Sequence, residues 1–385
     1  METKKLYYVN CHMKSFSAKV LECRASDKGW LVTLDATAFY PEGGGQACDL
    51  GILGLARVLD VREEGETVVH LCDSPLEPGT EVTGEIDWQR RFDLMQQHSG
   101  EHIVSGIIHR MFGYHNVGFH VGAETVTIDF DGPISEEALY KVQQEANEGV
   151  WANLPIRCWY PSPEELPQVG YRTKRELPWP VRVVEVPGYD KCACCGVHTA
   201  YTGEIGLIKL LSCVKFHQGV RIEMVCGGRA LDFMNRVYEQ NKQVSQLFSA
   251  KILETGAAAK RASEQLAAEK FRAAGLEKQI FRAIGEKYTG KGNVLHLEPD
   301  LTPGAVRELA DTIAESCGGI AAVASSQDGE NWSLCLVSRD ADVRALGKEA
   351  FQALNGRGGG KAASVQGSVR APEAQLRQFF GKILI

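Results

Sequence analysis

The feature that most constrains this chain is the pair of histidines in His98-Ser99-Gly100-Glu101-His102. Apolar residues recur around it at helical spacing, which predicts a helix from Arg91 to Met111 with Gly113 as its stop. Residues four apart lie on one face of a helix, so both imidazoles point at the same place. They are therefore candidate ligands of one metal ion, although histidines at this spacing also occur as ordinary core residues.

A second set of candidate ligands lies much further along the chain, in the stretch from Lys191 to His198. There Cys194 and His198 combine a soft thiolate with an imidazole on a short turn that contains glycine. Together with His98 and His102 they form a set of histidines and one cysteine that suits zinc. One shared metal site is the best single explanation of the two pairs.

Composition limits the class of protein. The chain has 385 residues, 44% hydrophobic and 24% charged, which is typical of a soluble globular protein with about two to four domains. No apolar run reaches the ~18 residues that span a bilayer, and the N-terminus leads into no secretory signal. The 12 cysteines are scattered apart from one cluster, which predicts reduced thiols and a cytoplasmic protein. The net charge of −7 means that any surface for nucleic acid must be local.

Changes of pattern along the chain predict a multidomain α+β protein with four segments. Residues 1–90 show short alternating runs between turn residues, as in a small β-barrel. Residues 91–228 combine the histidine helix with strands, and they form an α+β domain that carries the zinc. Residues 229–288 keep helical spacing, interrupted near a run of alanines, and predict a helical hairpin or a long helical arm rich in basic side chains. Residues 289–385 alternate strands and helices as an α/β domain that ends in a helix from Pro372 to Ile383.

Two glycine-rich stretches are candidate binding elements. The first, Thr37–Gln46, includes the run Gly43–Gly45, which permits unusual dihedrals and the close approach of a ligand. A mobile hairpin loop has the same composition, and no helix with Lys-Ser/Thr follows to complete a phosphate-binding loop. The second stretch, Asn355–Lys361, is predicted to be a loop whose N–H groups and two cations, Arg357 and Lys361, could contact a phosphate.

In combination, these motifs resemble the editing region of alanyl-tRNA synthetases. The resemblance rests on His98-x3-His102, Cys194-x3-His198, Thr202–Gly206, Phe39–Gln46 and Gly219–Glu223. The stretch Asn355–Lys361 is similar to the C-terminal DHHA1 domain of the same enzymes. The chain begins where their editing region does and leaves no room for an aminoacylation domain. The sequence therefore predicts a freestanding alanyl-tRNA editing protein of the long AlaX type.

The resemblance implies a hydrolase that cleaves the ester between the alanine tRNA and a wrong amino acid, chiefly serine, with glycine as the second candidate. An alanine site rejects such close analogues by only about 10–200-fold, so a second, hydrolytic sieve is needed. Zinc is the implied cofactor, and it can orient the aminoacyl group, polarise the ester carbonyl or lower the pKa of an attacking water. That water lies at or beside the zinc, and no protein base is assigned. Glu101 is expected to face away from the ligand histidines.

The implied site residues form three groups. The metal ligands are His98, His102, Cys194 and His198. The substrate-binding candidates are Thr37, Gly43, Gly44, Gly45, Gln46, Asn116 and His120. Among them, Thr37, Asn116 and His120 are the candidates for recognising the serine hydroxyl or the terminal adenosine. The candidates for contact with the RNA backbone are Arg357 and Lys361. His120 can equally be a histidine packed at a strand edge, and the basic face of the arm can be a solvated surface, an RNA groove or a dimer contact.

Some features leave alternatives open. Four protein ligands are typical of a closed structural zinc, so we expect one ligand to be displaceable or zinc to gain a fifth. Cys195 departs from the glycine usual in this family, and it and Cys192 can compete for the metal or be oxidised. Other interpretations are editing of a threonine tRNA, a non-catalytic zinc-stabilised RNA-binding protein, and a DHH-type phosphoesterase, for which no Asp-His-His motif is present. A homodimer through the arm or the C-terminal domain is also predicted.

Overall fold

The structure is a computed structural model that describes residues 2–173, 177 and 179–382. It divides into two compact units, unit 1 (Met1–Gln243) and unit 2 (Val244–Ile385). The predicted multidomain α+β organisation is confirmed, whereas the boundaries of the four segments stay predictions. Among the described residues, none of the helices is long and apolar enough to cross a membrane.

The first part of unit 1 is built from antiparallel strands. They are β1 (Lys4–Lys5), β2 (Ser15–Ser26), β3 (Gly29–Leu34), β4 (Ala36–Thr37), β5 (Gly51–Leu53), β6 (Ala56–Glu64), β7 (Thr67–Cys72) and β8 (Glu81–Ile86). Hydrogen bonds close a ring in the order β2-β3-β7-β6-β5-β8 in the region predicted to form a small barrel, while β1 pairs with β4 in parallel. Alternate residues of these strands are buried inside the ring, as expected for strands with one covered face.

Helix α1 (Trp88–Phe112) carries the histidine pair, so the predicted helix is confirmed. The Asp87 side chain caps its N-terminus by accepting a hydrogen bond from Arg90 N. Gly113 ends it with a φ of 73°, a left-handed conformation that glycine adopts at little cost. Arg91, which is fully buried, donates to Asp49 and to the carbonyl of Ala38, and it thereby attaches the helix to the strand region.

The rest of unit 1 follows α1 in the chain, and its last helix runs on into unit 2. Its elements are β9 (Asn116–Val121), β10 (Val126–Phe130), α2 (Glu136–Trp151), β11 (Arg157–Trp159), α3 (Leu166–Val169), β12 (Val183–Val186), β13 (Asp190–Ala193), β14 (Ile208–Phe216), β15 (Gly219–Cys226) and α4 (Gly227–Leu247). The strands form one sheet in the order β14-β15-β10-β9 and another in the order β11-β12-β13. Apolar side chains of α1, α2 and the first sheet share one core.

Unit 2 contains a mixed sheet with helices. Its elements are α5 (Thr255–Glu286), β16 (Gly292–Pro299), α6 (Pro303–Ala314), β17 (Gly318–Ser326), β18 (Asn331–Ser338), α7 (Arg344–Ala353), β19 (Arg357–Lys361), β20 (Ser364–Arg370) and α8 (Glu373–Gly381). The strand order is β16-β17-β18-β20-β19, with β16 and β17 parallel. The predicted last residue of the final helix, Ile383, lies outside the described residues.

One local prediction is wrong, and another feature is clarified. The segment predicted to be helical consists largely of α4 and α5, and the alanine run after Gly256, which interrupts the apolar spacing, lies inside α5. Alanine has the highest helix propensity, so a run of it weakens the apolar pattern without weakening the helix. The predicted loop at Asn355–Lys361 is largely strand β19, which pairs with β20 at the edge of the sheet.

Candidate metal centre

The predicted metal ligands come together in unit 1. One ligand atom from each of His98, His102, Cys194 and His198 lies within 4.8 Å of the others. Helix α1 supplies two of them one turn apart, and the turn after β13 supplies the other two. The distance from Cys194 Sγ to His98 Nε2 is 3.4 Å. Two ligands on a tetrahedral zinc, with bonds of about 2.0 and 2.3 Å, are separated by roughly 3.5 Å.

The two helical histidines are held through their Nδ1 atoms. His98 Nδ1 lies 2.8 Å from Gln46 Oε1, and His102 Nδ1 lies 2.8 Å from Asp190 Oδ2. An imidazole that donates from Nδ1 to a carbonyl or carboxylate oxygen keeps the lone pair of Nε2 for a metal. Both rings are therefore oriented as metal ligands are.

His198 provides an independent test of whether a metal fits. Its Nε2 atom is buried and has no hydrogen-bond partner among the described residues, while its Nδ1 lies 3.5 Å from Ser99 Oγ. An unpartnered buried polar atom costs about 1–3 kcal/mol. A metal ion bound by the four side chains would provide that partner, so the residues present fit a zinc-like ion.

The electrostatics of the cluster suit metal binding. Burial alone would raise the pKa of the Cys194 thiol, but the neighbouring imidazoles outweigh it and hold that pKa well below its usual value. Burial lowers the pKa of His198 to about 3, which keeps this ring neutral. Burial also acts to lower the pKa of His102, but Asp190 and Cys194 raise it well above its usual value. Zinc prefers a thiolate and neutral imidazoles, so binding would displace the His102 proton.

The close approach of β13 to α1 explains how Asp190 reaches His102. A Cβ atom on Gly106 would lie 2.2 Å from the carbonyl oxygen of Tyr189, so only glycine allows this packing one turn after His102. Arg172 Nε donates to the other carboxylate oxygen of Asp190 at 2.7 Å. Asp190 and Arg172 were not predicted from the sequence. The sequence signal that could have indicated Asp190 is its position four residues before Cys194.

Arg182 fixes the turn that bears Cys194, and it too was not predicted from the sequence. Its Nη1 donates to the carbonyls of Cys194 and Gly196 at 2.9 and 2.8 Å. Its guanidinium lies over the ring of Tyr8, 4.5 Å from the ring centre, and the Tyr8 hydroxyl donates to the carbonyl of Cys195. The thiol position is therefore set by a half-buried cation and an aromatic ring.

The first glycine stretch forms a tight turn beside the metal cluster. Gly43 and Gln46 exchange both backbone hydrogen bonds, and Gly44 and Gly45 have φ values of 59° and 82°. This is the two-residue hairpin turn that needs positive φ at both central residues. A Cβ on Gly45 would lie 2.6 Å from the Phe119 ring, which itself packs on His98. The turn thus brings Gln46 to His98.

The other predicted substrate contacts lie in different surroundings. A cavity of about 660 Å³ is lined by the glycine turn and by His120. Asn116 is buried on β9 and donates to Glu101 and Ser105. Thr37 is fully buried in the strand region, where its hydroxyl lies 2.8 Å from His70 Nε2. Contact of these residues with a substrate stays a prediction.

The predicted RNA contacts, Arg357 and Lys361, lie at the two ends of β19 in unit 2, and both are exposed. The glycines between Arg357 and Lys361 allow β19 to pair closely with β20, because a Cβ atom at two of these positions would clash with neighbouring atoms. A Cβ on Gly358 would lie 2.2 Å from the Phe351 ring, and one on Gly360 would lie 2.1 Å from the carbonyl oxygen of Ser364. A separate cavity of about 650 Å³ is lined by Arg357 and Arg370.

Three family models match the chain. The model for class II (A) tRNA synthetases matches residues 3–90, and the model for the second additional domain of threonyl and alanyl tRNA synthetases matches residues 181–228. The DHHA1 domain model matches residues 289–383. The second of these includes the cysteine turn, and the third includes β19.

Curated relatives agree with these matches. Alanyl-tRNA editing protein Aarsd1-A of Xenopus laevis is 32% identical over 245 residues, which cover 62% of this chain and 59% of that protein. An alanine–tRNA ligase of Pyrobaculum neutrophilum is 31% identical and covers 99% of this chain but 44% of the ligase. The chain thus spans about half the length of these two relatives. It contains the second additional domain of threonyl and alanyl tRNA synthetases and a DHHA1 domain, and it is related to alanyl-tRNA editing proteins and alanine–tRNA ligases.

Proposed function

We propose that the chain is a zinc-dependent aminoacyl-tRNA deacylase that hydrolyses seryl and glycyl esters of the alanine tRNA. The observation that carries the proposal is the convergence of the four ligand side chains within 4.8 Å, with Gln46 and Asp190 orienting two of them. The matched synthetase domain and the relative named as an alanyl-tRNA editing protein support the same function.

His98, His102, Cys194 and His198 would hold the zinc, which supplies a Lewis acid next to the ester. Asp190 and Gln46 keep the imidazoles in place, so the centre needs little reorganisation when substrate binds. The cavity beside the glycine turn is large enough for a nucleoside, and we assign the terminal adenosine to it, next to His120. Serine selection would come from polar groups that accept its hydroxyl, with Thr37 and Asn116 as the predicted candidates.

We assign contacts with the tRNA backbone to Arg357 and Lys361 of unit 2. Both cations are exposed and without an ion pair among the described residues, and Arg357 shares its cavity with Arg370. Cations at a groove bind phosphates without reading sequence, so binding should weaken steeply with salt. The net charge of −7 is compatible with such a local surface.

We also infer a homodimer through the helical arm or the C-terminal domain. Large apolar side chains are exposed along both long helices, including Leu231, Met234, Val237, Tyr238, Leu247, Leu266, Phe271, Leu276 and Ile280. A row of apolar side chains at helical spacing needs a partner surface. Light scattering of the purified full chain measures the oligomeric state, and a monomer at micromolar concentration would contradict this part of the proposal.

The test is deacylation of Ser-tRNA and Ala-tRNA, both on the alanine tRNA, with zinc content measured on the same sample. We expect rapid loss of serine with alanine spared, and no activity in His102→Ala. The matched control is His109→Ala, which removes a histidine from the same helix outside the cluster. Cleavage of Ser-tRNA of threonine instead would support threonine editing. Zinc at one per chain with no cleavage of any ester would favour a non-catalytic RNA-binding protein.

A further inference from the structure

A buried carboxyl group lies on α1 next to the metal cluster. Glu101 is only 5% exposed, and its position in the helix is three residues after His98 and one before His102. Ser105 Oγ and Asn116 Nδ2 both donate to its Oε1 atom, the latter at 2.6 Å. Asn116 Nδ2 also donates to Ser105 Oγ at 3.1 Å, which closes a small buried network.

This network leaves two acceptors unused. Asn116 Oδ1 is buried and has no hydrogen-bond partner in the described part of the chain. Flipping the Asn116 amide would turn this oxygen toward the Glu101 carboxylate, and two acceptors cannot form a hydrogen bond. The amide must therefore direct its Nδ2 toward Glu101 and its Oδ1 away from it. Both bonds to Glu101 end on Oε1, and no further hydrogen bond or ion pair to it is made by the described residues. Arg172, which acts on Glu101 through space, is itself bonded to Asp190.

Glu101 Oε2 and Asn116 Oδ1 are both hydrogen-bond acceptors, so a ligand that binds them must carry hydrogen-bond donors. A nearly buried carboxylate without an ion pair is costly unless a cation with hydrogen-bond donors approaches it. Divalent cations that prefer oxygen need about six or more ligands, far more than Glu101 Oε2 and Asn116 Oδ1 provide. An ammonium group has three donors and one positive charge, and it matches one carboxylate oxygen and one amide oxygen.

We propose that Glu101 and Asn116 bind the α-ammonium group of the aminoacyl ester, an inference that rests on the deacylase function proposed above. Glu101 is expected from the sequence to face away from both ligand histidines, but residues three apart on a helix have Cβ atoms about 5–6 Å apart, so this site adjoins the ligand His98. Glu101 and His102 are adjacent in sequence and do not face each other. The α-amino nitrogen is separated from the ester carbonyl carbon by one carbon atom. Binding it at Glu101 therefore leaves the ester beside the metal cluster and favours esters with a free amino group over N-acylated ones.

The first test compares kcat/KM for seryl and N-acetylseryl esters of the alanine tRNA with the full, zinc-loaded chain. We expect the wild type to prefer the free amine by about 10- to 100-fold, as for hydrogen bonds to a charged group. Glu101→Gln keeps an oxygen acceptor for Ser105 and Asn116 but removes the charge. It should reduce the preference to within about threefold while the N-acetyl ester is cleaved at nearly the wild-type rate. The double variant Glu101→Gln/Asn116→Asp returns a carboxylate to the site and should restore part of the preference.

The second test measures binding without turnover. Calorimetry with a non-hydrolysable 3′-serylamido analogue of adenosine should show weaker binding after N-acetylation in the wild type and no such difference in Glu101→Gln. Glu22→Gln removes an exposed carboxylate from β2 and is the matched control. A preference for the free amine that survives Glu101→Gln would overturn the inference. Failure of the zinc-loaded wild type to cleave either ester would instead contradict the deacylase function.

Discussion

Two glycine-rich segments of this chain look alike in sequence and have different structures. Gly43–Gly45 forms a turn with positive φ at two residues, whereas Gly358–Gly360 lies in the edge strand β19. In the first, glycine allows a backbone conformation and the approach of Phe119 and Cys195. In the second, it allows an ordinary strand to pair closely with β20 beneath Phe351. A run of glycines therefore indicates close approach without indicating what approaches.

The two segments should also differ in what a mutation changes, which is the reaction rate for the first segment and the folding stability for the second. The first segment adjoins the predicted metal ligands through Gln46, so a small displacement there should affect chemistry more than stability. The second is distant in sequence from any predicted metal ligand and pairs with β20 beside Phe351, a residue of the core of unit 2, so a change there should affect stability. The predictions below test that separation, beginning with the largest effect.

Removing a metal ligand should have the largest effect on the rate of deacylation. The turn at Gly43–Gly45 can influence that rate only if the metal centre is required for the reaction. Cys194→Ser replaces the soft ligand, and we expect loss of bound zinc and at least about a 1,000-fold fall in deacylation, as when an essential catalytic group is removed. Metal content and single-turnover rates measure the two effects. Cys213→Ser, a thiol in β14 outside the cluster, is the control. Full activity in Cys194→Ser would show that the metal centre is not needed for deacylation, so the two glycine-rich segments could not be distinguished by their proximity to it.

Gly45→Ala should disturb the turn itself. Its Cβ would lie 2.6 Å from the Phe119 ring at a φ of 82°, so the turn and Gln46 must shift away from His98. A displacement of about 1 Å at an active site can cost about 100-fold in rate. We therefore expect a fall of about 10- to 100-fold in kcat, in addition to a loss of stability of about 1–3 kcal/mol from backbone strain and overpacking. Gly65→Ala has the same kind of strain, with a φ of 65° and no atom within 4 Å of the new Cβ. Equal effects of the two variants would show that strain alone is responsible.

Gly358→Ala should show the opposite balance. Its Cβ would lie 2.2 Å from the Phe351 ring, and overpacking of this kind typically costs about 1–3 kcal/mol. We expect the calorimetric transition of unit 2 to fall to a lower temperature while a minimal acceptor-stem ester is cleaved as before. Gly359→Ala, with no atom within 4 Å of its new Cβ, should change stability by less than about 0.5 kcal/mol. A loss of esterase activity in Gly358→Ala without a change in stability would contradict this view of β19.

The smallest expected effect concerns the cations of the second segment. Arg357→Ala should weaken binding of the alanine tRNA at low salt by less than tenfold and reduce the slope of log affinity against log salt by about 1. Filter binding over a range of salt concentrations measures both quantities. Arg377→Ala, whose guanidinium is paired with Glu373 on α8, is the control and should leave the slope unchanged. An unchanged slope for Arg357→Ala would mean that β19 does not contact phosphate.

Local pattern was enough for much of the fold. Helix α1 and its stop at Gly113 follow from spacing and turn residues, because each depends on neighbours in sequence. Local pattern failed at Asn355–Lys361, where the glycines suggested a loop and a long-range pairing made a strand.

The sequence by itself determined the chemistry of the four ligand side chains and which of them share a helical face. Tertiary structure decided what surrounds them. Gln46 reaches His98 across 52 residues and Asp190 reaches His102 across 88, and no local rule encodes such contacts. Burial of Glu101 likewise depends on β9 covering one side of α1. The identity of the ligand residues and their spacing along the helix are properties of the sequence. The orientation, burial and protonation of their side chains arise only when segments distant in sequence pack together and exclude water from the site.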